Sequence, residues 1–548
     1  MNFTDKRVLI IEDQRPFLLL LRGLLNSMGA TEVVTKPSAE QAIAICRRQK
    51  FDIIIADLHL GSDKKTGYEL IEELRFRKFI KPSTIFLLIS ADSARPIVLG
   101  SLERRPDDYL IKPFSQSQLK SRIARAWQKR QHMLVVYRAI FEEQWDKAIA
   151  ACQMLVNTDS PYRRYCEQAL VELYWKIKQP EKSLEILQNY QTGKPVLWAQ
   201  IALGKTYLKL NKPDQALAVG EEILVLNRFS AEAYDLIAEA QHALKEGERA
   251  IDAIRQAIKL SPFSLPRHFT ACTIARENQD YQLVTESSQA IWQLSKRTVH
   301  QDVSHWCSYI RSVLDAAEHA EDKRTRNRFQ QEALLLLQRG KFDDILNRQS
   351  DKLDLDIYEQ VVNARIYSLD GKMLDAKRDL FQSQFAIEEK YEHYPTAFAP
   401  DSLKVMYDLG EFDEAQDLIK TLRQNGEDLD PNSQHLMQYE SKRAEERQSL
   451  YQQHNRQGID YYQKGQYGQA RDSFSLALQF APVNTGVALN LLQCLLKVLS
   501  NQKKPEPTLI KECRRVYKLI EDIPLRKEHQ QKFDDLRGEL FDYLGLSA

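Results

Sequence analysis

Glycine is scarce in this chain: 19 of 548 residues, about half the ~7% of an average protein, which excludes a glycine-punctuated all-β architecture. The seven cysteines (Cys46, Cys152, Cys166, Cys272, Cys307, Cys494 and Cys513) are dispersed, with no Cys-x-x-Cys pair and no metal-binding spacing. Such a set predicts buried small hydrophobes in a reducing compartment rather than disulfides or zinc. Long apolar runs are missing too. Stretches such as Phe17–Leu21 and Leu334–Leu337 fall far short of the ~18 residues that span a bilayer. Only four apolar residues, Val8–Ile11, follow the start before Glu12, too few for a signal peptide. The expectation is a cytoplasmic protein without membrane contact. Net charge is also lacking, with 77 Lys and Arg against 76 Asp and Glu, so no global field argues for nucleic acid. There is no Gly-Lys-Ser/Thr phosphate loop, no Gly-x-Ser-x-Gly elbow and no helix-turn-helix output pattern. His300 and His305 stand near Cys307 without the spacing or the fourth ligand that zinc needs.

The chain does have ordinary globular proportions, 43% apolar and 28% charged, which rules out wholesale disorder. Its balanced charge hides an asymmetry. Residues 1–130 carry 23 Lys and Arg against 15 Asp and Glu, whereas the remainder carries 54 against 61. A basic head is joined to an acidic body.

In the head, short apolar runs alternate with amphipathic stretches. Val8–Ile11, Glu32–Thr35, Asp52–Ala56, Thr84–Ile89 and Asp108–Ile111 read as strands, with helices predicted over Pro16–Met28 and Ala39–Gln49. β-Branched runs separated by helices predict a parallel sheet covered on both faces. Five of them in about 125 residues predict a flavodoxin-like doubly wound fold whose site lies at the carboxyl ends of the strands. Those ends carry Glu12-Asp13, Asp57, Ser90-Ala91 and Lys112-Pro113-Phe114. Three carboxylates on one rim raise one another's pKa unless a cation neutralises them, and a few hard oxygen donors with room for water suit Mg²⁺. One carboxylate can then act as a nucleophile toward phosphorus, with lysine and metal spreading the phosphoryl charge.

On these motifs, together with Tyr109-Leu-Ile-Lys112-Pro-Phe, residues 5–128 resemble the receiver domain of the two-component response regulators. The resemblance implies that Asp57 is the phosphoacceptor. Glu12, Asp13 and Asp57, with the backbone carbonyl of His59, would bind Mg²⁺. Lys112 would hold the acyl phosphate, Ser90 would donate a hydroxyl hydrogen bond to it, and Tyr109 would be the aromatic switch beside Ser90. It also implies a sensor histidine kinase or phosphotransfer protein as partner, and no enzymatic activity beyond the domain's own phosphoryl transfer and dephosphorylation. One segment departs from the family pattern: the loop from Asp57 to Gly67 is about two residues longer than usual and lacks its proline, and His59 stands where the family often tunes the phosphoryl lifetime.

No Gly or Pro occurs from Ser115 to Ser160, so the last receiver helix is predicted either to run straight into Val135–Phe141 or to bend there. Beyond it a 34-residue period emerges. Leu203-Gly204, Tyr207 and Ala216 recur as Ile237-Ala238, Gln241 and Ala250, followed by Ala257 and Pro262. The same spacing links Gly458, Tyr461, Ala470, Phe474, Ala477 and Pro482. These segments resemble tetratricopeptide repeats, pairs of antiparallel helices with small residues where they touch. Weaker units surround Ala148, Ser183, Ala376 and Ala415, while residues 265–345 fit the period poorly.

The expected architecture is thus an α/β flavodoxin-like (βα)5 receiver domain over residues 1–130, followed by an all-α tetratricopeptide-type solenoid. Residues 131–300 would hold helical repeats including those at about 197–264, residues 301–450 divergent repeats, and residues 451–548 a last repeat with capping helices. The expected function is a response regulator in which Mg-dependent phosphorylation of Asp57 gates binding of an unidentified protein to the array. Two alternatives stay open: a nucleic-acid-associated regulator using the basic receiver face, and a pseudo-receiver scaffold that is never phosphorylated. A basic face including Arg104, Arg105, Lys120 and Arg122 is expected to dock on the acidic body.

Overall fold

The computed structural model describes residues 2–61, 65–91, 106–158, 160–425, 429–501 and 506–544. The chain divides into two compact units, Met1–Gln301 and Asp302–Ala548.

The first unit opens with strands β1 (Arg7–Ile11), β2 (Glu32–Lys36), β3 (Ile53–Asp57), β4 (Ile85–Ser90) and β5 (Asp108–Ile111). They form one parallel sheet in the order β2-β1-β3-β4-β5. Alternate side chains of the same strands feed two separate cores. Val8, Ile10, Ile53, Ile55, Leu87 and Ile89 pack with Leu21, Leu119 and Ile123 on one face. Leu9, Ile11, Ile54, Phe86 and Leu88 pack with Ala42, Leu70 and Leu74 on the other. Burial on both faces is why these strands read as continuous apolar runs. The helices are α1 (Arg15–Ser27), α2 (Ala39–Arg48), α3 (Gly67–Phe76) and α4 (Gln116–His132). Thr66 with Glu69, and Ser115 with Gln118, close reciprocal capping boxes at the starts of α3 and α4, satisfying otherwise orphaned amides.

Helix α4 bends into α5 (Leu134–Phe141) at the single residue Met133. Helix-type bonds continue across the corner, from Met133 N–H to Lys129 C=O and from Tyr137 N–H to Met133 C=O. Of the two predicted possibilities, the bend is found.

The helices then pair: α5 with α6 (Trp145–Val156), α7 (Arg163–Lys176) with α8 (Pro180–Gln188), α9 (Leu197–Lys209) with α10 (Pro213–Leu226), α11 (Ala231–Ala243) with α12 (Gly247–Leu260), and α13 (Leu265–Glu277) with α14 (Tyr281–Ser295). Each pair turns through one residue of positive φ: Glu143, Lys178, Asn211, Lys245 and Gln279, at intervals of 33 to 35 residues. The period therefore extends through residues 265–295, where the sequence pattern fits it poorly. Side-chain spacing hides it because none of these turns uses glycine, although αL geometry costs other residues about 1–2 kcal/mol. Gly204 lies directly against Leu236 of α11, the close approach its place in the repeat requires.

The second unit contains α15 (Val303–Glu318), α16 (Lys323–Gly340), α17 (Asp344–Asn347), α18 (Leu355–Leu369), α19 (Met373–Lys390), α20 (Ala399–Leu409), α21 (Phe412–Asn425), α22 (Pro431–Gln463), α23 (Tyr467–Phe480), α24 (Thr485–Ser500), α25 (Pro507–Glu521) and α26 (Lys527–Leu544). Here the turn residues with positive φ are glycines, Gly371, Gly410 and Gly465, which is why these turns are visible in the sequence. Helix α22 is a double-length element. Its first half buries Leu436, Met437 and Ala444, and its second half carries Tyr451 and Gly458. A Cβ on Gly458 would stand 2.6 Å from the Phe474 ring of α23, and Ala470 is fully buried. Replacing Ala470 by leucine is expected to cost about 1–3 kcal/mol by overpacking this crossing. An unchanged denaturation midpoint would refute the register.

A charged network is buried at the centre of this unit, with no local sequence signal. Asp401 accepts hydrogen bonds from Arg311 (2.8 Å), Arg365 (3.1 Å) and Tyr358 (2.9 Å), and Arg365 also reaches Asp315. All five residues are buried. All seven cysteines are buried and free, and no helix among the described residues is long and apolar enough to cross a membrane.

Candidate functional site

The doubly wound order places the ends of β1 and β3 side by side, where the chain reverses direction across the sheet. Glu12 follows β1 and is buried; the next residue, Asp13, is exposed; Asp57 ends β3 and is buried. One carboxylate oxygen from each of the three lies within 4.8 Å of the others. Lys112, just beyond β5, sends its ammonium between two of them, 2.9 Å from Glu12 Oε2 and 2.5 Å from Asp57 Oδ2. Its Nζ also stands 3.9 Å from the centre of the Phe17 ring on α1, a cation–π contact that holds the cation over the rim.

Burial pushes the Glu12 carboxyl up from 4.5 to about 7; the Lys112 hydrogen bond opposes the shift and the Asp57 charge adds to it. One ammonium therefore does not neutralise this rim. A further cation would meet three hard oxygen donors already gathered, and that donor set fits Mg²⁺ rather than a softer metal. No other group of three or more His, Cys, Asp and Glu with metal-binding proximity occurs among the described residues.

The remaining predicted residues surround this cluster. Ser90 ends β4, is fully buried, and its carbonyl accepts the Lys112 amide at 2.8 Å. Tyr109 lies on β5, half-buried against the apolar core that contains Phe86 and Leu88. His59 has an exposed side chain, and its backbone N–H donates to Asp57 Oδ1 at 3.2 Å. The lengthened loop returns to the sheet at Gly67, whose amide donates to Leu58 C=O at 2.9 Å. A Cβ at Gly67 would run into the Asp57 carbonyl and come within 2.8 Å of Leu88, so the loop can close here only on glycine. Before it, Lys65 pairs with Glu73 on α3. Phe17 and Gly67 belong to the site's framework. The sequence placed Phe17 in an ordinary apolar run and Gly67 only as the end of a loop, because neither carries a charge to announce it.

Part of the expected basic docking face, Arg104 and Arg105, falls outside the described residues. Lys120 is exposed. Arg122 pairs with the receiver's own Asp108 at 3.0 Å. Contacts between the sheet domain and the following helices run elsewhere. Lys78 meets Glu143 at 2.8 Å, Glu72 meets His300 at 3.2 Å, and Arg130 spans Asp107 (2.5 Å) and the Tyr137 ring (4.1 Å).

Comparison with known proteins agrees with this geometry. The response regulator receiver domain model matches residues 8–124, and a tetratricopeptide repeat model matches residues 201–264. The chain is similar to the alkaline phosphatase synthesis transcriptional regulatory protein PhoP of Bacillus subtilis, 28% identical over 169 residues, 31% of this chain and 67% of that protein. It is similar to the alginate biosynthesis transcriptional regulatory protein AlgB of Pseudomonas aeruginosa, 32% identical over 125 residues, 23% of this chain and 26% of the relative. The chain thus spans about two thirds of the first relative's length and about a quarter of the second's. Among solved structures, the chemotaxis response regulator CheY4 of Vibrio cholerae is 23% identical, covering 22% of this chain and 98% of that one, with a TM-score of 0.20.

Proposed function

We propose that the chain, whose residues 8–124 match the response regulator receiver domain model and residues 201–264 a tetratricopeptide repeat model, is a two-component response regulator in which phosphorylation of Asp57 gates a protein–protein interaction made by its helical array. The single observation that carries this reading is the placement of the Lys112 ammonium between Glu12 and Asp57, where it can meet a phosphoryl group arriving on the Asp57 carboxylate.

Asp57 attacks phosphorus: its Oδ–P bond forms as the bond to the donor's histidine nitrogen breaks. Glu12, Asp13 and Asp57, with the His59 carbonyl, would hold Mg²⁺, which would supply positive charge to offset that of the phosphoryl group. Lys112 moves its hydrogen bond from Asp57 to a phosphoryl oxygen, and the Ser90 hydroxyl donates a hydrogen bond to another. Tyr109, beside them on β5, follows the change. The phosphate comes from a sensor histidine kinase or a phosphotransfer protein. Both relatives are named as transcriptional regulators, but the acidic charge of residues 131–548 favours a protein ligand for the array over a phosphate backbone.

Two experiments test this. Partner capture is expected to differ between wild type and Asp57→Ala; identical capture would end the proposal. Lys112→Ala is expected to uncouple phosphorylation from the array more than it weakens Mg²⁺ binding. The readouts are hydrogen exchange of the helices with and without beryllofluoride, and a Mg²⁺ titration. A variant that still shows the wild-type exchange response assigns the lysine's role elsewhere.

A further inference from the structure

Helix α16 is charged against its own dipole. Lys323, Arg324, Arg326 and Arg328 crowd its first two turns, and its first turn holds no acidic residue. Cations at a helix N-terminus oppose the macrodipole and weaken the helix. Among the described residues, none of these four side chains, nor Arg339 farther along, has an ion-pair partner within 4 Å. Arg328 lies over the ring of its neighbour Phe329 at 5.0 Å.

The same helix borders a cleft of about 300 Å³ against α15, lined by Tyr309, Arg328, Glu332, Leu335, Leu336 and Arg339. Leu335 is 56% exposed, and Phe342, two residues beyond the helix, is 86% exposed. Arg328 and Arg339 stand eleven residues apart, three helical turns or about 16 Å along the axis, with the leucines between them. A cationic group at each end and an apolar floor between them is a recognition pattern with a definite complement.

We propose that this cleft docks an acidic amphipathic helix of a partner protein, which places an apolar side chain over Tyr309, Leu335 and Leu336 and carboxylates on Arg328 and Arg339. The proposal rests on the reading that the array binds a protein, and adds where and of what chemistry. Arginines without an ion-pair partner on either side of an exposed leucine, with Tyr309 in the same cleft, match the aromatic- and arginine-centred anchors of protein interfaces. An anionic bilayer fits less well, because the carboxylate of Glu332 lies in the wall of the cleft.

The test uses the full chain and a labelled synthetic amphipathic peptide with leucines on one face and glutamates on its flanks, followed by fluorescence anisotropy. A counterpart with lysines replacing the glutamates is the control. Saturable binding of the glutamate peptide is expected, weakened by salt. The double variant Arg328→Glu with Arg339→Glu, and separately Leu335→Asp, should each weaken it about tenfold or more. All these positions are at the surface, so wild-type melting curves are expected for the variants. Any of four results overturns the proposal: no saturable binding, equal binding of the lysine peptide, binding indifferent to the substitutions, or substitution-sensitive sedimentation with phosphatidylserine vesicles without peptide binding. So does a concentration-dependent dimer abolished by Leu335→Asp, which would make a second copy the occupant. The parent reading fails separately. If Asp57→Ala captures partners as wild type does, the switch is lost while peptide binding stands. If the double arginine variant keeps Asp57-dependent capture, the cleft is lost and the switch stands.

Discussion

Acetyl phosphate with Mg²⁺ is expected to label the wild-type chain, and Asp57→Asn is expected to abolish that label. The reason is local. Asp57 ends β3 as a buried carboxylate in contact with Lys112, and an amide in its place offers no anionic oxygen to attack phosphorus. Glu12 is a poor substitute, because it is fully buried beside Lys112 and burial is the main cause that raises its carboxyl pKa. Asp13→Asn should cripple labelling without abolishing it, since it removes one of three gathered oxygens and leaves the nucleophile in place. Chelating the metal should stop labelling in every variant. Phosphate that survives on Asp57→Asn, located by peptide mapping, would move the acceptor to another residue.

The second large effect is on stability. Asp401→Ala leaves the buried guanidiniums of Arg311 and Arg365 without their shared carboxylate and removes the acceptor of Tyr358. Breaking a buried ion pair from one side costs about 3–5 kcal/mol, because the surviving charge stays out of water. A folded unit holds only about 5–15 kcal/mol in total, so residues 302–548 should melt far below wild type. The exposed pair of Lys341 with Asp356, where the aspartate side chain is 84% exposed, gives the contrast: Asp356→Ala should cost under about 1 kcal/mol. Denaturant midpoints of the full chain measure both. Equal shifts for the two substitutions would mean that the network is hydrated and contributes little.

What the sequence reveals depends on how far apart the cooperating residues lie. Each strand of the receiver announces itself within five or six residues, and the site gathers at strand ends, so Glu12, Asp57, Ser90 and Lys112 are legible from the order of the elements alone. Phe17 is not, because its contact with Lys112 spans most of the domain. The turns of the second unit are legible where glycine marks them, as at Gly371 and Gly410. The turns of the first unit at Glu143, Lys178 and Gln279 are silent, because ordinary residues take the same backbone shape there. The Asp315, Tyr358, Arg365 and Asp401 network joins three separate helices. Each of its members, read alone, is one more charged or polar residue on an amphipathic helix. Arg122 shows the converse. Its charge suggests outward docking, yet a carboxylate within reach in its own domain claims it.

Helix α22 changes how its neighbourhood comes apart. In a stack of separate hairpins each unit melts nearly on its own, and stability adds up as in a one-dimensional Ising chain. A single 33-residue helix that packs on α15 and α20 with one half and on α23 with the other removes the natural breakpoint between them. Fraying that passes the Gly465 turn into α22 meets no loop inside the helix at which to stop. It must either halt against intact tertiary contacts or carry the whole helix with it. This stretch should therefore behave as one foldon, with amides near Leu436 and near Gly458 exchanging at a common opening free energy, although more than twenty residues separate them.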